Sequence, residues 1–290
     1  MVWYLPFHAQ PVEGEDNVYE PSPFMLMIAT KSKTDYKPLE YTDNSKKYQG
    51  TKPILVVCTD EYKMPMANGK IFSTGNHPIE MFVPMLHFRD AGFTFEIATE
   101  HGDPVCLEMW AYPTKDESVK AFHESLKSQM EKPKKLSDIS SSMDGYAGIF
   151  IPGGHGCMIN LPSSEALGKL LHAAHAKAMP TITLCHGPAT LLASAKVKGN
   201  ETFAYKDYEA MCFTDTTDGL TPYLGYLPGT MPWKCQASIV ERGMKVLNST
   251  ETGAVHQCKE LISGDSPFAA NSLGKMATPI LVQYATDHDS

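Results

Sequence analysis

Short apolar runs alternate with longer helical patterns from about residue 54 to the end of the chain. The run 54–58 is continuous and β-branched, as in a strand that is buried on both faces of a sheet. The same pattern predicts further strands over 93–98, 146–151, 181–184 and 244–247. The spacing predicts helices over 78–90, 164–178, 188–197, 233–242 and 267–285. This alternation predicts an α/β fold, a doubly wound and mostly parallel sheet with helices on both faces.

Two segments depart from this alternation. Residues 1–50 are rich in Pro, Tyr, Lys and acidic residues without a sustained period, which indicates an extended amino-terminal arm. Residues 101–142 carry Trp110, Tyr112 and a strongly charged helical stretch, which indicates a small inserted lobe. We therefore predict an arm over 1–50 and a catalytic domain over 51–290, with the lobe inserted at about 101–142.

The composition is that of an ordinary globular protein. The chain has 290 residues, of which 42% are hydrophobic and 20% are charged, which excludes collagen-like and disordered classes. Its formal charge of -8 would repel polyanions, so a dedicated nucleic-acid binder is disfavoured. No apolar run approaches the ~18 residues needed to span a bilayer, and the first residues lack the pattern of a secretion signal.

The seven cysteines are widely spaced and include no Cys-x-x-Cys pair. This spacing argues against a zinc ribbon, a thioredoxin-like redox motif and a disulfide framework. It predicts free thiols in a reducing cytoplasm. The positions are 58, 106, 157, 185, 212, 235 and 258.

One of these thiols, Cys185, lies in a distinctive sequence context. An apolar strand runs directly into Cys185, and Gly187-Pro188 follows at the start of a predicted helix. This strand-to-helix turn is similar to a nucleophile elbow, although Thr183 replaces the first glycine of the usual form. A helix N-terminus can lower a cysteine pKa from ~8.5 into the ~3.5–7.5 range. The alternative, a small buried hydrophobic residue, fits Cys58 and Cys212 better.

A second apolar strand ends in the glycine cluster Gly153-Gly154-His155-Gly156. Glycines let backbone N–H groups approach a ligand closely and form a concavity for an oxyanion. Neither a dinucleotide fingerprint nor a phosphate loop is present. In an open α/β sheet this loop and the Cys185 loop would both lie at the carboxyl edge, where ligands bind. A tight turn without function is the alternative.

Two acidic residues are unremarkable on their own. Glu80 lies in the first turn of the helix that begins near Pro78, where an acidic residue favours the helix dipole. Asp218 lies in a polar stretch that is typical of a loop. Any functional interest depends on what the rest of the chain resembles.

Four motifs together resemble a known family. They run in order over 72–80, 151–156, 184–189 and 261–271. They resemble the HchA-type heat-shock proteins, in the PfpI-like branch of the class I glutamine-amidotransferase-like superfamily. The resemblance implies a flavodoxin-like core with a small second lobe, a homodimer and a cysteine enzyme without cofactor.

The resemblance also implies the site. Cys185 would be the nucleophile, Glu80 the carboxyl that hydrogen-bonds it, and His186 with Asp218 the rest of a triad-like set. Backbone N–H groups of Gly154 and His186 would form the oxyanion hole. The positions implied for oxyanion and substrate binding are Gly153, Gly154 and His155.

The implied activity is a glyoxalase III, which converts methylglyoxal or glyoxal without glutathione and gives lactate from methylglyoxal. The same attack on glycated Cys, Lys or Arg would make the chain a protein deglycase, with glycated nucleotides as further substrates. The resemblance also implies a stress-induced holding chaperone for unfolded clients. The alternative is a holding chaperone in which the thiol is dispensable. A cysteine peptidase ranks last, because His186 is adjacent to its own nucleophile, an awkward geometry unless the elbow is strained.

The family's metal site does not carry over to this sequence. Its two histidines and glutamate align with Arg89, Thr94 and Leu126, which are poor zinc ligands. We therefore predict no metal at this position.

Overall fold

Four of the five predicted strands lie side by side at the centre of the protein, in a computed structural model that describes residues 7–38 and 47–289. Thirteen strands occur among the described residues. They are β1 (Gln10–Pro11), β2 (Val18–Glu20), β3 (Ile54–Val57), β4 (Lys63–Pro65), β5 (Ile71–Ser73), β6 (Phe95–Thr99), β7 (Lys134–Lys135), β8 (Gly148–Ile151), β9 (Thr181–Leu184), β10 (Glu209–Ala210), β11 (Lys245–Val246), β12 (Val255–Cys258) and β13 (Leu261–Gly264).

The central sheet has seven strands in the order β12-β13-β9-β8-β3-β6-β7, and only the β12–β13 pair is antiparallel. The inner order β6-β3-β8-β9-β13 is the flavodoxin-like 2-1-3-4-5 arrangement. The predicted doubly wound, mostly parallel sheet is therefore confirmed. The strand order reverses at β3, so the crevice at the carboxyl ends of β3 and β8 is the expected ligand site.

Helices cover both faces of this sheet. They are α1 (Pro23–Ala29), α2 (Pro78–Asp90), α3 (Glu117–Glu131), α4 (Glu165–Ala176), α5 (Asp215–Leu224), α6 (Cys235–Glu241) and α7 (Ala270–Asp287). Short 3₁₀ helices span Met109–Ala111, Leu136–Asp138, His155–Met158, Leu161–Ser163, Gly187–Lys196 and Pro267–Ala269. None of the described helices is long and apolar enough to cross a membrane.

The core is divided by the alternation of side chains along the strands. In β3, Ile54 and Val56 point to the face covered by α2, α3 and α7, whereas Leu55 and Val57 point to the face covered by α4 and α6. Every residue of β3, β8 and β9 is buried. Burial on both faces explains why these strands have continuous apolar runs.

Two predicted elements differ in the structure. The run 244–247 forms only the two-residue β11, which pairs with β10 outside the central sheet, because Lys245 and Leu247 face solvent. The predicted helix over 188–197 consists of 3₁₀ turns, in which the Thr190 and Ser194 hydroxyls bond to carbonyls three residues back. The β12–β13 hairpin has no counterpart among the predicted strands.

The predicted arm and lobe both pack on the main body where they are described. From the arm, β2 pairs with β5 in a four-stranded sheet, and residues 1–6 and 39–46 lie outside the described residues. From the lobe segment, α3 packs on α2 and β7 forms an edge of the central sheet. The domain boundaries stay a prediction.

Candidate active site

Three loops meet at the carboxyl edge of the sheet, beside the point where the strand order reverses. Cys185 directly follows β9, and Gly153 lies two residues after β8. Glu80 lies in the first turn of α2, the helix that follows β3 and β5. A Cβ added to Gly153 would overlap the Glu80 carboxyl and lie 2.7 Å from the Cys185 Cβ. The structure thus brings these three predicted residues together.

Cys185 is the strained residue of this edge. Its φ of 59° lies in the left-handed region, which costs a residue with a side chain about 1–3 kcal/mol. The backbone is held on both sides: the Cys185 N–H donates to the Gly264 carbonyl at 2.9 Å, and the Phe213 N–H donates to the Cys185 carbonyl at 2.9 Å. The side chain is buried, with 4% exposed. This is the geometry of the nucleophile elbow that the sequence indicates.

His186 contacts the thiol despite being its neighbour in sequence. Its Nδ1 lies 3.3 Å from the Cys185 Sγ, and its Nε2 donates to the Asp218 Oδ2 at 2.8 Å. Since Asp218 holds the proton of the imidazole on Nε2, Nδ1 has a lone pair that can accept the thiol proton. The strained backbone at Cys185 allows this contact between two residues that are adjacent in sequence.

Asp218 joins two histidines. It lies in the first turn of α5 and is buried, so its assignment to a loop was wrong. Its Oδ1 lies 3.1 Å from the His155 Nε2, and the rings of His155 and His186 are 4.0 Å apart. Burial alone would raise the pKa of Asp218, but the two imidazoles hold it well below its ordinary value of 3.8. Asp218 is therefore anionic and orients both rings.

Glu80 is a buried acid beside the Cys185 thiol and Gly153. Among the described residues, neither of its carboxyl oxygens has a partner at normal distance. Burial raises the pKa of Glu80 well above its ordinary value of 4.5, and the nearby Cys185 thiol and Gly153 N–H lower it by less. Burial thus favours the neutral acid, which can donate a proton to a ligand.

The expected lowering of the Cys185 pKa is wrong. Burial raises the pKa of this thiol, and the neighbouring carboxyl groups of Glu80, Asp218 and Glu108 raise it further. Burial and these carboxyl groups outweigh any lowering by the peptide dipoles of the 3₁₀ turns that follow Cys185. Activation therefore depends on proton transfer to His186.

One backbone N–H of the glycine loop and one of the Cys185 loop have no acceptor among the described residues. Gly154 has a φ of 102°, and a Cβ there would lie 2.7 Å from the His77 nitrogen. Among the described residues, the N–H groups of Gly154 and His186 donate to no protein group. Both are available to a ligand oxygen, in agreement with the positions implied for an oxyanion hole.

Aromatic side chains and one further acid line the site, and sequence reasoning missed them. Phe213 stacks on His186 with ring centres 4.8 Å apart, and the Tyr226 ring lies 6.0 Å from the His155 ring. Trp110, assigned to the lobe, donates from Nε1 to the Ser73 carbonyl at 3.1 Å.

Glu108 is the further acid at the site, and it accepts from the His155 N–H at 3.3 Å. No local signal singles out Glu108 or Phe213, because loops distant in sequence place them here.

Two groups of described residues place metal-ligating atoms close together. One is the buried set His155, His186 and Asp218, and the other is Asp60, Glu61 and His101. The first set already forms the hydrogen bonds described above. At the position of the family's metal site, Arg89 pairs with Asp90 and Leu126 lies in the apolar core.

Sequence comparisons identify the family. A profile of the DJ-1/PfpI family matches residues 71–217. The protein/nucleic acid deglycase HchA of Pseudomonas aeruginosa (strain LESB58) is 43% identical over 278 residues, which cover 94% of each chain. The HchA of Escherichia coli O157:H7 (strain EC4115 / EHEC) is 43% identical over 276 residues, 94% of this chain and 95% of that one. This chain belongs to the DJ-1/PfpI family. The resemblance of the four motifs is confirmed.

Solved structures agree on the fold. The Rapid Encystment Protein 24 KDa of Francisella tularensis superposes with a TM-score of 0.66 at 23% identity, over 80% of this chain and 99% of that one. Glyoxalase III from Candida albicans superposes with a TM-score of 0.63 at 20% identity, over 78% of this chain and 96% of that one. Such DJ-1/PfpI neighbours share the central sheet and its helices.

Proposed function

We propose that this chain is a glutathione-independent glyoxalase and a protein deglycase, with Cys185 as nucleophile. The observation that carries the proposal is the buried thiol on a strained elbow, with the His186 Nδ1 3.3 Å from its sulfur and the buried acid Glu80 beside it. The names of the relatives support the deglycase activity. The site residues Gly153, Gly154 and His155 complete the proposed pocket.

The first step is attack on the aldehyde carbon of methylglyoxal. The Cys185 sulfur forms a bond to this carbon, C1, and the thiol proton moves to the His186 Nδ1. Asp218 stabilises the imidazolium that results. The C1 oxygen is held by the N–H groups of Gly154 and His186 and takes the proton of the Glu80 carboxyl. The product is a hemithioacetal, and Glu80 is now a carboxylate.

The second step moves hydrogen between the two carbons. The Glu80 carboxylate removes the proton from C1, and the electron pair passes to the C2 oxygen. The proton of the C1 hydroxyl is then transferred to the C2 oxygen, and Glu80 returns its proton to C2. A lactoyl thioester on Cys185 results. No electron acceptor is required, because C1 is oxidised as C2 is reduced.

Water completes the cycle. The Glu80 carboxylate takes a proton from water, whose oxygen attacks C1, and the sulfur leaves with the proton of His186. Lactic acid is released, and every group regains its first protonation state. The deglycase activity requires the same attack on the carbon that joins methylglyoxal to a Cys, Lys or Arg side chain, with that side chain as leaving group.

The test of this function is lactate formation by the purified protein without glutathione. We expect lactate from methylglyoxal, and free thiol or amine from freshly treated N-acetylcysteine or N-acetyllysine. A requirement for glutathione, or the absence of lactate, would refute the glyoxalase activity. Small dicarbonyls and glycated proteins are the proposed partners. Glycated nucleotides, a homodimer and a cytoplasmic location stay predictions.

Asp218→Asn should lower kcat about 10²–10⁴-fold, since the amide no longer stabilises the imidazolium formed when His186 accepts the thiol proton. The matched control is Asp215→Asn in the same turn of α5. Asp215 accepts the N–H groups of Gln236 and Ala237 at the start of α6, so this change should lower the unfolding temperature and spare kcat. Steady-state kinetics and thermal unfolding of both variants check the contrast. Equal kcat values for the two variants would contradict it.

A holding chaperone is a second candidate, favoured by apolar side chains exposed on α1 and α5 and on Phe7, whose ring packs against Phe24 of α1. The two helices are neighbours, because the Ser22 N–H donates to the Gly225 carbonyl at 2.8 Å. Tyr223 is 83% exposed. The exposed set is Phe7, Met27, Ile28, Leu220, Tyr223 and Leu224.

We expect suppression of client aggregation to survive Cys185→Ala and to weaken in the double variant Met27→Ser, Tyr223→Ser. Light scattering of a heated client protein measures both. Suppression that depends on Cys185 and not on these apolar residues would refute a separate chaperone surface.

A further inference from the structure

Glu108 is a second buried acid at the site, and it is placed by backbone pairing. The Glu108 N–H donates to the Asn76 carbonyl at 3.0 Å. Asn76 directly precedes His77, the residue at the start of α2, whose first turn carries Glu80. Glu108 therefore lies beside the segment that positions Glu80.

Only one of the two carboxyl oxygens of Glu108 forms hydrogen bonds with the described residues. It is 1% exposed. Its Oε1 accepts the Thr74 hydroxyl at 2.7 Å and the His155 N–H at 3.3 Å. Its Oε2 is buried and has no hydrogen-bond partner among the described residues. A buried polar group without a partner is destabilising, so this oxygen indicates a site for a ligand.

The Glu108 carboxyl is bonded to the same glycine loop that contacts the nucleophile. Its Oε1 accepts the His155 N–H, and Gly153, two residues before His155, lies against the Glu80 carboxyl and the Cys185 Cβ. Burial raises the pKa of Glu108 itself above its ordinary value of 4.5, which favours the acid. Because Oε1 already accepts two hydrogen bonds, the acid proton belongs on Oε2. The site thus offers an O–H donor without an acceptor.

We propose that Glu108 is a catalytic residue whose Oε2 hydroxyl binds the second carbonyl oxygen of a 1,2-dicarbonyl substrate. This inference rests on the proposed function. Oε2 gives its proton to the C2 oxygen when Glu80 removes the proton from C1, and then takes the proton of the C1 hydroxyl. Glu80 thus moves hydrogen between the carbons, and Glu108 moves a proton between the oxygens. At the end of this step Glu108 is again the acid, and Glu80 is again the carboxylate that the attack on C1 produced.

This arrangement explains selectivity for dicarbonyls. A simple aldehyde can add to Cys185 but has no second oxygen for Glu108, so it leaves the donor unsatisfied and cannot isomerise. A site built to hydrogen-bond a substrate group discriminates strongly against analogues that lack it, because its buried polar group is then left unpaired.

The test is Glu108→Gln, which keeps an oxygen for Thr74 and His155 and an N–H donor for the substrate but cannot transfer a proton. We expect kcat for methylglyoxal to fall about 10²–10⁴-fold, with KM little changed. Native mass spectrometry should show the Cys185 adduct accumulating, since attack proceeds and isomerisation stalls. Alkylation of Cys185 by iodoacetamide should keep its wild-type rate.

The matched control is Glu100→Gln. Within the described part of the chain, Glu100 also has a buried oxygen without a hydrogen-bond partner, and it makes no hydrogen bond to Cys185 or His155. Its variant should therefore match the wild type. An unchanged kcat in Glu108→Gln would overturn the inference. So would a joint loss of activity, adduct and alkylation, which would show a purely structural role. If the wild type makes no lactate, the proposed function fails instead, so the two failures are distinguishable.

Discussion

Cys185→Ala should lower methylglyoxal conversion by about 10⁴-fold or more, to the rate of the uncatalysed reaction. The thiol is the group that forms the bond to C1. Glu80 and His186 only transfer protons, so they cannot replace it. Alanine keeps a Cβ at the strained position, so the elbow and the sheet should be retained. Lactate assays and circular dichroism measure the two effects separately.

Cys106→Ala is the control for the loss of a thiol. Cys106 is a partly buried free cysteine whose sulfur lies 3.2 Å from the Asp60 carbonyl, away from His186. We expect wild-type kinetics from this variant. Substantial turnover by Cys185→Ala, or equal losses in the two variants, would contradict the assignment of the nucleophile.

Glu80→Gln should lower kcat about 10²–10⁴-fold, because the amide cannot carry hydrogen from C1 to C2. The change is nearly isosteric, so the contacts of Gly153 and Cys185 with this side chain are preserved. KM should change much less than kcat. Steady-state kinetics with methylglyoxal check this expectation, and an unimpaired kcat would show that another group moves the hydrogen.

The same variant should be more stable than the wild type at high pH. The pKa of Glu80 is raised by folding, so its favourable contribution is complete below its ordinary value of 4.5 and is lost as the pH rises through the folded-state value. Glutamine does not ionise and avoids this loss. The stability advantage of Glu80→Gln should therefore grow as the pH increases from about 4.5 toward the folded-state pKa.

Urea unfolding at pH 5 and pH 8 measures this advantage. Glu117→Gln is the control, because Glu117 also lies in the first turn of a helix but its side chain is 82% exposed. Its variant should show no such dependence on pH. An advantage of Glu80→Gln that shrinks as the pH rises would contradict the burial of a neutral acid.

The sequence predicted the parts of this protein that depend on local signals. Pro78 at the first position of α2 and Gly92 shortly after its end match the predicted helix over 78–90 to the residue. The continuous apolar runs of β3 and β9 were recognisable because both faces of these strands are buried. The resemblance then placed Cys185, Glu80 and Gly154 at one edge of the sheet, where the structure has them.

The remaining features depend on packing between distant segments. The sequence around Asp218 predicts a loop, whereas in the structure α5 places Asp218 between His155 and His186. The pKa of Cys185 is raised first by burial and then by carboxyl groups on three separate segments, of which one, Glu108, has no local signal. The run 244–247 has a strand-like composition but only one face to bury, and so it stays outside the central sheet.

The most direct test of the central claim is native mass spectrometry of Glu80→Gln after exposure to methylglyoxal. Attack by Cys185 should proceed, because the His186 imidazolium can return its proton to the C1 oxygen, while hydrogen transfer between the carbons is blocked. A mass increase of one methylglyoxal molecule should therefore appear on the intact protein. The double variant Glu80→Gln, Cys185→Ala should lack this adduct. Lactate formation by the wild type with no adduct on Cys185 in Glu80→Gln would contradict the account.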